Sequence, residues 1–273
     1  MTLLRKIFKF YLDASVHVAL AVVSLYWVTV VNLNIPANYF VIFFLGCSTI
    51  VCYNFIKYGV EADKYLIVTK PYHKSIQIFS FVAFGFAVFF FVQLPSELWL
   101  LLFLLTLFSG LYALPFLPSS RNLRSLGVLK IVLVALVWIG LTGVLPVLEN
   151  GMSWDLEVVL LLLRHFFLVV ILMLPFEIRD MYFDPPELRT LPQRYGVTRT
   201  KAIGYLLLLF YVGLVLMSDD FAMWPRAIVQ LSVVLFLFLA LYKATTSQDR
   251  YFAAFWVESI PIAMSFLYYL VSR

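Results

Sequence analysis

Charge is what this sequence has least of. Only 13% of its 273 residues are Asp, Glu, Lys or Arg, where a soluble domain carries roughly a quarter. A chain so poor in charge cannot cover a water-facing surface. That excludes an ordinary soluble enzyme and, despite the net charge of +5, a nucleic-acid partner. Cysteine is nearly missing too. Cys47 and Cys52 are the only two; both fall in one apolar run, and their spacing fits neither a metal site nor a disulfide framework. No glycine-rich nucleotide loop, zinc-ligand spacing or nucleophile elbow is present, which removes the chemistries those motifs serve.

What the chain has instead is apolar length. Hydrophobic residues make up 63% of it and its mean hydropathy is +0.97. A helix that crosses a bilayer needs about 20 apolar residues. After a short basic amphipathic lead-in, MTLLRKIFKFYLD, such stretches run over 17–33, 39–58, 76–93, 98–117, 126–148, 156–176, 201–217, 227–242 and 251–271. These predict an all-α integral membrane protein, a single polytopic domain over 1–273 built as a bundle of about nine transmembrane helices. The first stretch reads as a span rather than a removed signal peptide, because further spans follow and no small-residue cleavage site appears.

The bases are distributed unevenly. Arg5, Lys6, Lys9, Lys57, Lys64, Lys70, Lys74, Arg121, Arg124, Lys130, Arg179, Arg189, Arg194, Arg199, Lys201, Lys243 and Arg250 fall at one set of span ends, 17 of the 20 Lys and Arg. Arg226 and Arg273 lie on the other side, and Arg164 lies within a span. The positive-inside rule then predicts a multi-pass protein of a bacterial cytoplasmic membrane, with its N-terminus inside and its C-terminus outside.

The most polar stretch begins where the sixth span ends, EIRDMYFDPPELRTLPQRYG from Glu177 to Gly196. If the helix continues to Asp184, Glu177, Asp180 and Asp184 stand at i, i+3 and i+7 and share one face. Pro185 and Pro186 close it, the first lacking an N–H and each disfavouring helical geometry in the residue before it. Hard cations take oxygen ligands, often one or two carboxylates with the oxygens of a substrate phosphate, so this stripe suits Mg²⁺. The plain alternative is a hydrated helix end. After the second span, CYNFIKYGVEADKY puts Asn54, Tyr58 and Glu61 on one helical face beside Lys57, a place for a phosphate or, equally, an interfacial end with Tyr and Lys anchors.

Together these features resemble the UbiA superfamily of intramembrane prenyltransferases, whose members carry an Asn-Asp-x-x-Asp-x-x-x-Asp motif after the second span and an Asp-x-x-x-Asp motif after the sixth. The second motif matches here as Asp180 and Asp184, followed by Arg189, Thr190, Leu191 and Gly196; the stretch from Tyr112 to Gly143 is similar to the family's fourth-to-fifth connection. In the first motif Asn54 matches, but Phe55, Tyr58 and Ala62 stand where the aspartates belong, with Glu61 and Asp63 beside the last. The resemblance implies transfer of a prenyl chain from a prenyl diphosphate to a lipophilic acceptor at the cytoplasmic face, in contact with membrane lipid. It implies Mg²⁺ held by Glu177, Asp180 and Asp184, with Asp180 and Asp184 catalytic. Asn54, Lys57, Arg121, Arg124, Lys130 and Arg179 are the candidates to bind the diphosphate. The degenerate first motif keeps two alternatives open, an intramembrane terpene cyclase and a non-catalytic relative that binds a lipid or a partner protein.

Within the spans, ionisable residues are costly and mark cavities or pairs. Arg164, His165 and Glu258 are therefore candidates to line a cavity with Tyr58 and Tyr112, and an Arg164–Glu258 pair is the structural alternative.

Overall fold

Hydrocarbon offers no water to a backbone, so every N–H and C=O in an apolar run must be satisfied within its own segment, and the α-helix is the solution for a single run. The computed structural model describes residues 3–59, 71–113 and 127–272. In chain order the helices are α1 Leu3–Asp13, α2 Val16–Asn32, α3 Tyr39–Asn54, α4 Pro71–Phe91, α5 Trp99–Ala113, α6 Leu129–Ile139, α7 Leu145–Glu149, α8 Leu156–Asp180, α9 Leu191–Leu216, α10 Asp219–Ala222, α11 Trp224–Lys243 and α12 Ile260–Val271. Among the described residues no strand occurs. Eight helical stretches among the described residues are long and apolar enough to cross a membrane, or nine if α1 and α2, bent by 59°, form one span. The expected nine agrees with that count.

The helix ends follow local rules. The side chain of Asp155 accepts from Val158 N at 3.0 Å to start α8, and that of Asn38 accepts from Phe40 N at 2.8 Å to start α3, each satisfying an orphan donor of a first turn. The run expected from residue 201 belongs to a longer helix, since α9 begins at Leu191 and is broken at Gly196, whose φ of 75° lies outside helical geometry. Three stretches widen into π-helical turns, Phe55–Gly59 after α3, Gly140–Val144 between α6 and α7, and Phe252–Val257 before α12. Such turns displace the ladder by one residue and recur at functional sites.

The main apolar core gathers residues of α2, α6, α8, α9, α11 and α12 around Leu25, Leu168, Ile171, Val233 and Leu237. A second cluster joins α2, α3, the turn before α5 and the start of α7 through Tyr26, Leu45, Leu98 and Leu145. The helices that carry the polar segments are thus held over their apolar lengths, and their polar ends are left at the rim.

Candidate functional site

The site begins at the end of α8. This helix stops at Asp180, four residues short of the expected Asp184; its last carbonyl still accepts from Phe183 N at 2.9 Å and Asp184 N at 2.8 Å, so one further turn follows before Pro185. Gln193 in the first turn of α9 holds that turn. Its Nε2 donates to Asp184 O at 2.9 Å and its Oε1 accepts from Thr190 N at 3.0 Å. On the other side Gly127 packs against the same tail. With φ at 60°, a Cβ there would stand 2.6 Å from Leu188 O and 2.8 Å from Arg189 O, so only glycine lets the start of α6 approach this closely.

That approach delivers Lys130. Its Nζ lies 2.8 Å from Glu177 Oε1 and 3.2 Å from Asp184 Oδ2. Asp180, between the two in sequence, is held by its neighbour: Arg179 Nε and Nη2 donate to its two carboxylate oxygens at 2.7 and 2.8 Å, while the guanidinium sits over the Phe176 ring at 5.2 Å. The expected one-sided stripe of Glu177, Asp180 and Asp184 is therefore not assembled, because the helix ends between its members and two different cations claim them. Among the described residues no three His, Cys, Asp or Glu side chains gather as a metal site. The donor set as arranged does not fit a divalent ion. Lys130 and Arg179, expected to clamp phosphate, are each engaged with carboxylates.

The first-motif side is built on the elbow between α1 and α2. Asn54, fully buried, accepts from Ser15 Oγ at 2.8 Å and donates to Ala14 O at 3.1 Å and Ser80 Oγ at 2.9 Å. It ties α2, α3 and α4 together, and its amide has no donor or acceptor turned toward a ligand. Lys57 is different. Its Nζ donates to Ser15 Oγ at 2.9 Å and to Leu12 O at 3.4 Å, and no carboxylate lies within ion-pair distance among the described residues. Tyr58 donates to Asp13 O at 3.0 Å. Glu258, half-buried after the π-turn Phe252–Val257, is within electrostatic reach of Lys57 and Arg179. The geometry thus brings Lys57, Tyr58, Arg179 and Glu258 toward one end of the bundle. Tyr112 closes α5, half-buried; Arg121, Arg124, Glu61, Ala62 and Asp63 lie outside the described residues.

Arg164 and His165 belong elsewhere. Arg164 pairs with Asp220, Nη1 to Oδ2 at 2.6 Å, with both side chains 4% exposed, and not with Glu258. The same Oδ2 accepts from Tyr268 OH at 2.9 Å and Gln230 Nε2 at 3.2 Å, and Tyr211 OH donates to Gln230 Oε1 at 2.7 Å. This buried network closes the opposite end of the bundle. His165 stands beside it at 2% exposure, and neither ring nitrogen has a partner among the described residues. Nothing in the sequence singles out Asp220; the signal that points to the network is Gln230, a lone amide inside an apolar run.

Two features had no sequence reading. His17, 2% exposed, contacts Tyr11 OH through Nδ1 at 2.6 Å and Phe255 O through Nε2 at 3.0 Å; the carbonyl can only accept, so Nε2 carries the proton. Between α11 and α12 lies an apolar crevice of about 530 Å³, lined by Phe236, Leu239, Phe252, Trp256 and Ile260, with Lys243 and Ser259 as its polar members.

Models of known protein families give no match to this chain, and curated proteins give none. Solved structures do. A UbiA homologue from Archaeoglobus fulgidus bound to GPP and Mg²⁺ is 12% identical, with 96% of this chain and 99% of that one covered and a TM-score of 0.65. A UbiA homologue from the same organism bound to Cd²⁺ is also 12% identical, over 96% of this chain and 98% of that one, at a TM-score of 0.66. A digeranylgeranylglyceryl phosphate synthase is 14% identical over 97% of each chain, at 0.57. At such identities the likeness shows the fold, and the fold of this chain is the one these structures share.

Proposed function

We propose that this chain, built on the UbiA fold, is a membrane prenyltransferase that takes a prenyl diphosphate at the end of the bundle where α3 and α8 finish and moves the prenyl chain to a lipophilic acceptor. The UbiA homologues solved with GPP and with DMAPP bind prenyl diphosphates, which supports that substrate class. The distribution of bases supports a cytoplasmic position for this end.

The observation that carries the reading is Lys57, an exposed cation whose contacts among the described residues are a hydroxyl and a carbonyl. A diphosphate oxygen is a stronger partner for an ammonium than either. In the transfer, the acceptor's electron pair forms a bond to C1 of the prenyl chain, the C1–O bond breaks, the diphosphate leaves with its bonding pair, and the acceptor loses a proton. In this reading Lys57 stabilises the charge that develops on the leaving oxygen. Arg179, bidentate on Asp180, would have to release that carboxylate to take a phosphate, and Arg121 and Arg124 are further candidates.

Isothermal titration with a non-hydrolysable prenyl diphosphate analogue tests this. The unmutated protein is expected to bind, and Lys57→Met to weaken binding by about tenfold or more, a loss of about 1.4 kcal/mol. An unmutated protein that binds no analogue would favour the second reading, a non-catalytic relative that holds a membrane lipid. The three internal hydrogen bonds of Asn54 and the missing first-motif aspartates favour that second reading.

A further inference from the structure

The three carboxylates at the end of α8 and in the turn after it each have a cation, and all the cations come from the chain itself. Glu177 and Asp184 reach one point from two different turns, and Lys130 Nζ occupies it at 2.8 and 3.2 Å. The position is enclosed, with side-chain exposures of 7% for Lys130, 5% for Glu177 and 16% for Asp184. Two carboxylates in so dry a place repel one another unless a positive charge stands between them. A divalent ion could supply that charge, because Mg²⁺ at phosphate-handling sites is held by one or two carboxylates, with water and phosphate oxygens completing its shell. Here a tethered ammonium supplies it. A metal ion entering the same point would meet that ammonium, and the third acid, Asp180, is bonded through both oxygens to Arg179. Glu177 also keeps one buried oxygen, Oε2, without a hydrogen-bond partner among the described residues, a donor that a larger or more highly charged cation would use and that Lys130 leaves unused.

We infer that Lys130 is a built-in replacement for a divalent cation: it holds Glu177 and Asp184 where a metal would hold them, and it makes this site independent of metal. Lys130 is thus a positioning residue, not a diphosphate clamp. The inference concerns the cation alone, so it stands or falls apart from the substrate proposed above. It also carries a reversal. With the ammonium removed and the carboxylates kept, the two acids present their oxygens to one empty point, and a divalent site should appear.

Mn²⁺ provides the measurement, since its electron paramagnetic resonance signal is lost on binding and needs no activity. The unmutated protein in lipid nanodiscs is expected to show no saturable Mn²⁺ binding up to about 1 mM. Lys130→Met is expected to bind Mn²⁺ at least about tenfold more tightly than the unmutated protein. Lys130→Arg, which keeps the positive charge, should not gain binding, and adding Asp184→Asn to Lys130→Met should abolish the gain. Saturable binding by the unmutated protein at these acids overturns the inference, as does a folded Lys130→Met that gains nothing. If Lys130→Met does not fold, Lys130→Gln, close in length and able to donate to one carboxylate, is the second variant, and the unmutated protein's own titration still decides.

Discussion

At the scale of single residues, chemical type proved a poor guide to role. Asn54 occupies the one position of the first motif that matches the family, yet all of its bonds run to Ser15, Ala14 and Ser80. Replacing it with alanine leaves those buried groups short of partners, and a buried polar group without a partner costs about 1–3 kcal/mol. Asn54→Ala should therefore lower the thermal unfolding temperature, while the protein that remains folded keeps its affinity for a prenyl diphosphate analogue. A phosphate ligand would give the opposite pattern, lost affinity at an unchanged melting temperature, and calorimetry with titration on the same preparation separates the two. Lys57, a few residues on, has no such internal commitment to an acid among the described residues, and the proposed function rests on that difference.

At the scale of elements, the docking of α6 against the tail of α8 depends on one glycine. Gly127 has φ at 60° and no room for a Cβ, so Gly127→Ala should destabilise the protein by more than about 1 kcal/mol. Gly110→Ala in α5, where nothing lies within 4 Å of the added methyl, should stabilise slightly, since alanine is preferred to glycine in a helix by about 0.5–1 kcal/mol. Opposite signs in the two melting curves would confirm that approach, not helix propensity, governs the first position. The helices themselves were legible in the sequence because hydropathy is local: each span can be recognised without knowing its neighbours. The end of α8 was less so, as the turn that follows it is held by Gln193 reaching back to Asp184 O. The partners of the charges were not legible. Lys130 meets Asp184 across 54 positions and Arg164 meets Asp220 across 56, and nothing in a stretch of sequence says which distant acid a buried base will find. Helical periodicity placed Glu177, Asp180 and Asp184 on one face, while Lys130 from α6 pairs with the first and the last and Arg179, next in sequence, holds the middle one.

For the whole molecule, the distribution of bases makes an assignment that labelling can check. Cysteine at Arg194, beside the proposed diphosphate site, should be shielded from an impermeant thiol reagent in intact cells, whereas cysteine at Asp219 should be labelled. Labelling at Arg194 would turn the bundle over and put the site on the outer face. The two ends also differ mechanically. Gln230 of α11 donates to Tyr268 OH of α12 at 2.7 Å, and both bond Asp220, while the crevice between the same two helices extends along them only as far as Phe236 and Ala263. From Phe236 to Gln230 is about 9 Å along a helix. The pair is thus pinned by hydrogen bonds at one end and parted by a crevice toward the other, so whatever lies in the crevice meets mainly apolar side chains and stops short of the buried polar network.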